Sequence, residues 1–416
     1  MEKKKSLQIF HTAGSLLEFV GQETQEKRAG DIASKLIEFA MQYNVNGNIW
    51  HHYIAYFLAF NENAFSLACE KKGLTNTSLD ALAEKEMTII KGIFDMDMQE
   101  LLDCDKSETD IFAHFVSGEK NVFNAIIAGA VAHFASELEK AKTPREFLLA
   151  VADFYRDYGV GDIGLNMAFK VNKPSNSDVA ELLPIKNADR KRLCDIIGYD
   201  LQKGKVVENT LAFLQGKPAN NVLLYGDGGT GKSSTIKALL GEYFSQGLRV
   251  VEVYKHQFGM ISDIISILKT RNYKFMLYLD DLSFEDFEIE YKYFKAIIDG
   301  GMEVRPKNML IYATSNRRHL IKESFNDKND MQMVGDLHRS DTLQEKLSLV
   351  ARFGLSIYYP SPNQVEYLAI VGELATKNNI DMPREDLEKL ALQWELRGSG
   401  KSGRTAEQFI NALLAK

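Results

Sequence analysis

The stretch NVLLYGDGGTGKSSTIKALL constrains this chain more than any other. An apolar run ends at Tyr225, a glycine-rich loop follows, and the pattern Gly226-x-x-x-x-Gly231-Lys232-Ser233 opens a helix. Ile236, Leu239, Leu240, Tyr243 and Phe244 fall on one side of that helix, so it packs against something. Strand, loop and helix in this order form a cradle for phosphate groups. Glycines without Cβ atoms let backbone N–H groups converge on phosphate oxygens. The helix N-terminus adds partial positive charge. Gly226, Asp227, Gly228, Gly229, Thr230, Gly231, Lys232, Ser233 and Ser234 are the candidate cradle. Lys232 is placed to reach the β- and γ-phosphates, and the Ser233 hydroxyl to ligate Mg²⁺. The alternative is a glycine-rich turn that matches by chance. GSGKSG at 398–403 is read as such a match: Glu395 stands where the first glycine belongs, and a helix precedes it.

Around this loop, short apolar runs alternate with helical patterns: NVLLY, LRVVEVY, FMLYL, MLIYAT and LSIYY. They carry almost no alternating polar residues, as strands buried on both faces of a parallel sheet should. Ile261, Ile264, Ile265 and Leu268 mark a second one-sided helix. Five parallel strands with helical crossovers make an α/β domain over 186–360. Residues 1–185 read as an all-α domain for a client or partner, with Phe147, Leu148, Val151, Phe154 and Tyr155 on one helix face. It ends in a polar, proline-bearing stretch, VNKPSNSDVAELLPIKNADR, read as a linker. Residues 361–416 read as a small helical lid. Ser361 is expected to cap its first helix, with Pro362 at the first position and Gln364 completing a capping box. Further helices follow Pro383 and Gly403.

FMLYLDD ends a strand in two acids. Asp280 is expected to hold Mg²⁺ through its water shell, and Asp281 to polarise a water facing the γ-phosphate. The alternative for Asp281 is a helix N-cap. MLIYATSN ends in Asn316, placed to hold the same water or to serve as a turn residue. The base is expected to be adenine, because the Asn-Lys-x-Asp element that reads guanine is absent.

Composition limits the rest. A net charge of −7 argues against a broad basic surface for nucleic acid, though not against a local patch such as Arg317, Arg318 and His319. Cys69, Cys104 and Cys194 form no C-x-x-C pair and fit a reducing compartment. The basic start MEKKKSLQIFHTAGSLLEFV is broken by Gln8, His11 and Glu18, so no secretion signal is expected. AIIAGAVAHFA is too short to span a bilayer. A cytoplasmic protein with no membrane partner is therefore expected. Adjacent His51 and His52 diverge on a helix, which disfavours a metal site. Trp50, Tyr53, Tyr56, Phe57 and Phe60 read as core.

The order of these motifs resembles the AAA+ class of P-loop NTPases. The resemblance implies a sensor 1 role for Asn316 and an arginine finger for Arg352, in EKLSLVARFGLSIYY, acting on a neighbouring copy's nucleotide. It implies a sensor 2 role for Arg404, in KSGRTAEQF, and an adenine pocket at IIGYD, where Ile197 precedes Gly198. Surface salt bridges are the alternative for both arginines. DDLSF, ATSNRRHL, EKLSL–RFGL and SGR-A–QF resemble more closely an uncharacterised bacterial AAA+-like ATP-binding family, a domain of unknown function, over roughly the last 220 residues. That family carries Asp at Asp281, as here. AAA+ proteins more often carry Glu, whose carboxylate reaches on the order of 1 Å further. The resemblance implies an ATPase using ATP and Mg²⁺ in a ring or filament with Arg352 in trans. Three tasks stay open: a motor acting on an unknown protein client, a slow nucleotide-gated switch, and a DNA-associated loader.

Overall fold

A computed structural model describes residues 15–16, 25–102, 105–118, 125–175, 179–186, 188, 191–284, 289–299, 306–316, 351–397 and 400–415. The chain divides into two units, Met1–Asn166 and Met167–Lys416.

The first unit is helical. Its described helices are α1 (Gln25–Tyr43), α2 (Ile49–Phe60), α3 (Ala64–Lys72), α4 (Ser78–Phe94), α5 (Met98–Leu102), α6 (Lys106–Ala113), α7 (Ala125–Lys140), α8 (Pro144–Tyr158) and α9 (Gly161–Leu165). Strands β1 (Asn46–Gly47) and β2 (Phe115–Val116) form a two-residue antiparallel ladder. Helix α8 starts where Thr143 and Glu146 make a reciprocal capping box. Its expected stripe of Phe147, Leu148, Val151, Phe154 and Tyr155 is buried. Trp50 is fully buried with its indole N–H donating to the Ile93 carbonyl at 3.0 Å, and Tyr56 is buried in the same core. Tyr53, Phe57 and Phe60 pack against the same core. His51 meets Glu139 at 2.7 Å and stacks on Phe94, while the Nδ1 of His52 lies 2.8 Å from the Asn48 carbonyl.

The second unit holds β3 (Ala168–Asn172), β4 (Glu181–Pro184), α10 (Asp200–Leu214), β5 (Val222–Gly226), α11 (Lys232–Tyr243), β6 (Leu248–Glu252), α12 (Ile261–Leu268), β7 (Lys274–Leu279), α13 (Ile289–Asp299), β8 (Met309–Ser315), β9 (Leu355–Tyr359), α14 (Gln364–Lys377), α15 (Arg384–Arg397) and α16 (Gly403–Leu414). Its sheet has the order β4-β3-β6-β7-β8-β5-β9. All pairings are parallel except β3 with β4. The five expected strands are β5 to β9, with β8 lying between the loop-bearing β5 and the acid-bearing β7. Interior strands β7 and β8 are almost wholly buried. Edge strand β9 alternates instead, with Ser356 and Tyr358 exposed.

Two expectations change. The sheet has seven strands, and its unit begins at Met167 and not at 186, because Ala168, Phe169 and Lys170 of β3 pair with β6 and the stretch read as a linker supplies the end of β3 and its antiparallel partner β4. The cap of α14 is Asn363, with Glu366 as its partner, and not Ser361 with Gln364. The Ser361 N–H is engaged elsewhere, by the Asp227 carboxylate at 3.0 Å. The lid helices pack on a small core of their own, built on Tyr367, Val371, Ala391 and Phe409. Among the described residues, no helix is long and apolar enough to cross a membrane.

Candidate functional site

The loop after β5 lies at the carboxyl ends of the parallel strands, where open α/β sheets hold ligands. Gly226, at φ 136°, lies against β9: a Cβ there would fall 2.1 Å from the Tyr359 carbonyl oxygen. Gly229, at φ 77°, lies against the lid loop, and its carbonyl accepts the Arg404 N–H at 3.2 Å. A Cβ on Gly229 would meet Ser402 Oγ at 2.9 Å. Gly398 and Ser399 lie outside the described residues; residues 400–402 lead into the helix at Gly403, and Ser402 and Arg404 sit directly on the phosphate loop.

Lys232, the first residue of α11, is buried. Its ammonium donates to the carbonyls of Gly226 at 2.9 Å and Asp227 at 2.6 Å. Burial pushes its pKa below the ordinary lysine value, against the pull of Asp227, Asp281 and Asp280. Next to it, the Ser233 hydroxyl donates to Asp280 Oδ1 at 2.7 Å. The Thr314 hydroxyl donates to the same oxygen at 2.6 Å and accepts the Asp281 N–H at 2.9 Å. Burial alone would raise the Asp280 pKa, but these hydroxyl donors outweigh it and hold the carboxyl below its ordinary value. Asp281 occupies a turn at φ 50°, and Asn316 Nδ2 donates to its Oδ1 at 2.8 Å. A hydroxyl beside a carboxylate is a hard oxygen pair suited to Mg²⁺ with its retained waters.

These groups border a cavity of about 710 Å³, within the range of small-molecule sites. Residues 228–234, Asp280, Asp281, Thr314 and Asn316 line it. Ile197, Ile370 and Leu374, which share the lid core, also line it, Ile196 lies against Gly231, and Arg404 joins the lining from the lid. Lys377 of α14, also in the lining, donates to the Cys194 carbonyl at 2.9 Å and lies 3.6 Å from Asp195.

The structure therefore gathers most of the sequence-derived set into one cavity. Gly226 and Asp227 stand behind it: the first spaces β5 from β9, and the second ties the loop to Ser361. Arg352 is half-buried and is not one of the described residues lining the cavity. Val222 pairs with Leu355 and Gly226 with Tyr359, so Arg352 lies at the other end of β9 from its own loop. That separation is on the order of 15 Å. Arg317, Arg318 and His319 lie outside the described residues, as does Cys104. Sequence reasoning missed Ile370, Leu374 and Lys377, which carry ordinary helix spacing, and Thr314, which reads as a plain strand residue.

Residues 165–416 match the family described as "Protein of unknown function (DUF815)". The chain belongs to that family. The matched range starts two residues before the sheet unit and covers its hairpin, phosphate loop and lid. Curated proteins similar to it include the proteasome-activating nucleotidase of Methanocaldococcus jannaschii, 26% identical over 182 residues, covering 42% of this chain and 40% of that protein. The 26S proteasome regulatory subunit 6B homolog of Schizosaccharomyces pombe is 25% identical over 234 residues, covering 53% and 57%. The replication factor C large subunit of Staphylothermus marinus is 36% identical over 81 residues, covering 19% and 18%. The chain thus spans between 18 and 57% of the length of these relatives. Among solved structures, the Thermotoga maritima RuvB Holliday junction branch migration motor aligns at TM-score 0.33 and 15% identity, covering 54% of this chain and 72% of that one. The strand order and the loop after β5 are those of an AAA+-like α/β P-loop fold.

Proposed function

We propose that this chain binds ATP with Mg²⁺ and hydrolyses it in an assembly of its own copies. The supporting observation is the continuous set of bonds from Ser233 through Asp280 and Thr314 to Asp281 and Asn316, at the mouth of a phosphate loop. Loop amides, Lys232 and Arg404 would hold the triphosphate, and the apolar side chains of Ile197 and Ile370 suit a purine ring. Ser233 and Asp280 would hold Mg²⁺, which neutralises charge on the β- and γ-oxygens when bound. Asp281 polarises the attacking water, and Asn316 fixes the orientation of its carboxylate. Arg352 cannot serve its own site from the far end of β9, so we assign it to the nucleotide of a neighbouring copy. A relative named as a nucleotidase fits this reading.

The work done with that energy is remodelling or loading of a client, with the helical unit as the gripping part. A slow switch is favoured by one feature: Asn316 already engages the short Asp281 carboxylate, which restrains its reach toward a water. The test is titration with a fluorescent ATP analogue, followed by phosphate release. Wild type binds and turns over, Lys232→Ala loses affinity about 100-fold, and Asp281→Asn binds but does not turn over. Full-strength binding by Lys232→Ala refutes the phosphate-loop reading.

A further inference from the structure

The two acids that close the loop site do not stand alone, because one hydroxyl on the neighbouring strand touches both. Thr314, on β8, is 2% exposed and stands beside β5 at Leu224. Its single hydroxyl proton goes to Asp280 Oδ1 at 2.6 Å, and a lone pair of the same oxygen takes the Asp281 N–H at 2.9 Å. Its carbonyl then takes the Leu282 N–H at 2.7 Å. Three consecutive residues of the turn are thereby anchored to one residue. The middle one, Asp281, has φ 50°, a conformation that residues with a Cβ rarely adopt.

We propose that Thr314 is a positioning residue for the nucleotide reaction: it aims the Asp280 carboxylate at the metal position and holds the Asp281 turn in the left-handed conformation that presents its carboxylate to Asn316. The proposal rests on the ATP reading above. Ser233 is the other hydroxyl on Asp280 Oδ1, and in the nucleotide-bound state it is assigned to the metal. Thr314 then remains on Oδ1 as the donor that also holds the Asp281 N–H, with the buried Tyr278 hydroxyl acting on the same carboxyl. A valine at this position keeps the β-branched shape that suits a strand but removes both contacts. A serine keeps both contacts and removes only a methyl group.

The experiment compares wild type, Thr314→Val, Thr314→Ser and Lys232→Ala as full-length chains. Affinity for a fluorescent ATP analogue is measured in EDTA and in Mg²⁺, and kcat and KM are measured separately. Thr314→Val should bind as wild type does in EDTA, because loop and lid contacts are intact. It should lose about 10- to 100-fold of the Mg²⁺-dependent gain in affinity, the range for a hydrogen bond to a charged group. Its kcat should fall by at least as much, while Thr314→Ser stays within about 3-fold of wild type on each measure. Thr314→Val behaving as wild type overturns the proposal. So does Thr314→Ser losing as much as Thr314→Val, which would assign the effect to packing. Binding that is Mg²⁺-independent in wild type also overturns it. A wild type that shows the Mg²⁺ gain but no turnover refutes hydrolysis alone, and loss of that gain in Thr314→Val still supports the Asp280 contact. Equal binding by wild type and Lys232→Ala removes the ATP reading and this proposal together.

Discussion

Gly229→Ala tests whether the lid loop sits on the phosphate loop as described. The new Cβ would lie 2.9 Å from Ser402 Oγ, 3.2 Å from Ser402 Cβ and 3.1 Å from Arg404 Cβ. Its backbone stays at φ 77°, which costs about 1 kcal/mol for a residue with a Cβ. Ser402 Oγ could rotate away, but it caps α16 by accepting the Thr405 N–H at 3.1 Å, and losing such a cap costs about 1 kcal/mol. If Ser402 stays, crowding costs about 1 kcal/mol or more. Either route gives about 2–3 kcal/mol. Gly228 is the internal control, because a Cβ there meets nothing within 4 Å and its φ is not positive. Gly228→Ala is expected to be neutral or stabilising by up to about 1 kcal/mol through the unfolded chain. The assay is thermal unfolding of the nucleotide-free full chain. Its two units call for two transitions, and the relevant one is that shifted by added Mg²⁺ and nucleotide. For a unit of this size, 2–3 kcal/mol lowers that midpoint by about 4–12 °C. Equal midpoints for the Gly228 and Gly229 variants would refute the docking of Ser402 and Arg404 on the loop.

Arg352→Ala should keep nucleotide affinity within about 2-fold and lose about 1000-fold in hydrolysis, with wild-type specific activity rising with protein concentration. Mixing Arg352→Ala with Lys232→Ala should restore part of the rate, because each copy supplies what the other lacks; normal hydrolysis by Arg352→Ala alone defeats the assignment. For Asp280 the sign follows from its held-down pKa: the ionised form is favoured in the fold, so its contribution to stability is complete above the unfolded value and is lost as pH falls through the folded one. The stability gap between wild type and Asp280→Asn should stay level from about pH 8 to 5 and close below about pH 4. A gap that widens on acidification would mean that the hydroxyl donors do not stabilise the carboxylate.

What could be read from the sequence depended on whether the cause was local. Strands β5 to β8 are continuous apolar runs because both faces of a central strand are covered, and covering leaves a compositional mark. The β3–β4 hairpin left none. Edge strand β4 lies inside a polar stretch that also carries Pro174, and β3 meets β6 through only Ala168, Phe169 and Lys170, too short a run to stand out just ahead of a linker-like composition. The phosphate loop and the Asp280–Asp281 pair were legible because their chemistry fixes residue types at fixed spacing. Ile370, Leu374 and Lys377 were not, since they reach the cavity only through the packing of α14, and their spacing is that of any amphipathic helix. The Ser361 cap failed for a related reason. Ser361 and Asn363 are both good caps, and the choice is made by a carboxylate on Asp227, 134 residues earlier. That same bond joins the phosphate loop to the start of the lid. Asp227, placed in the cradle by its position in the loop, therefore also fixes the chain just ahead of α14.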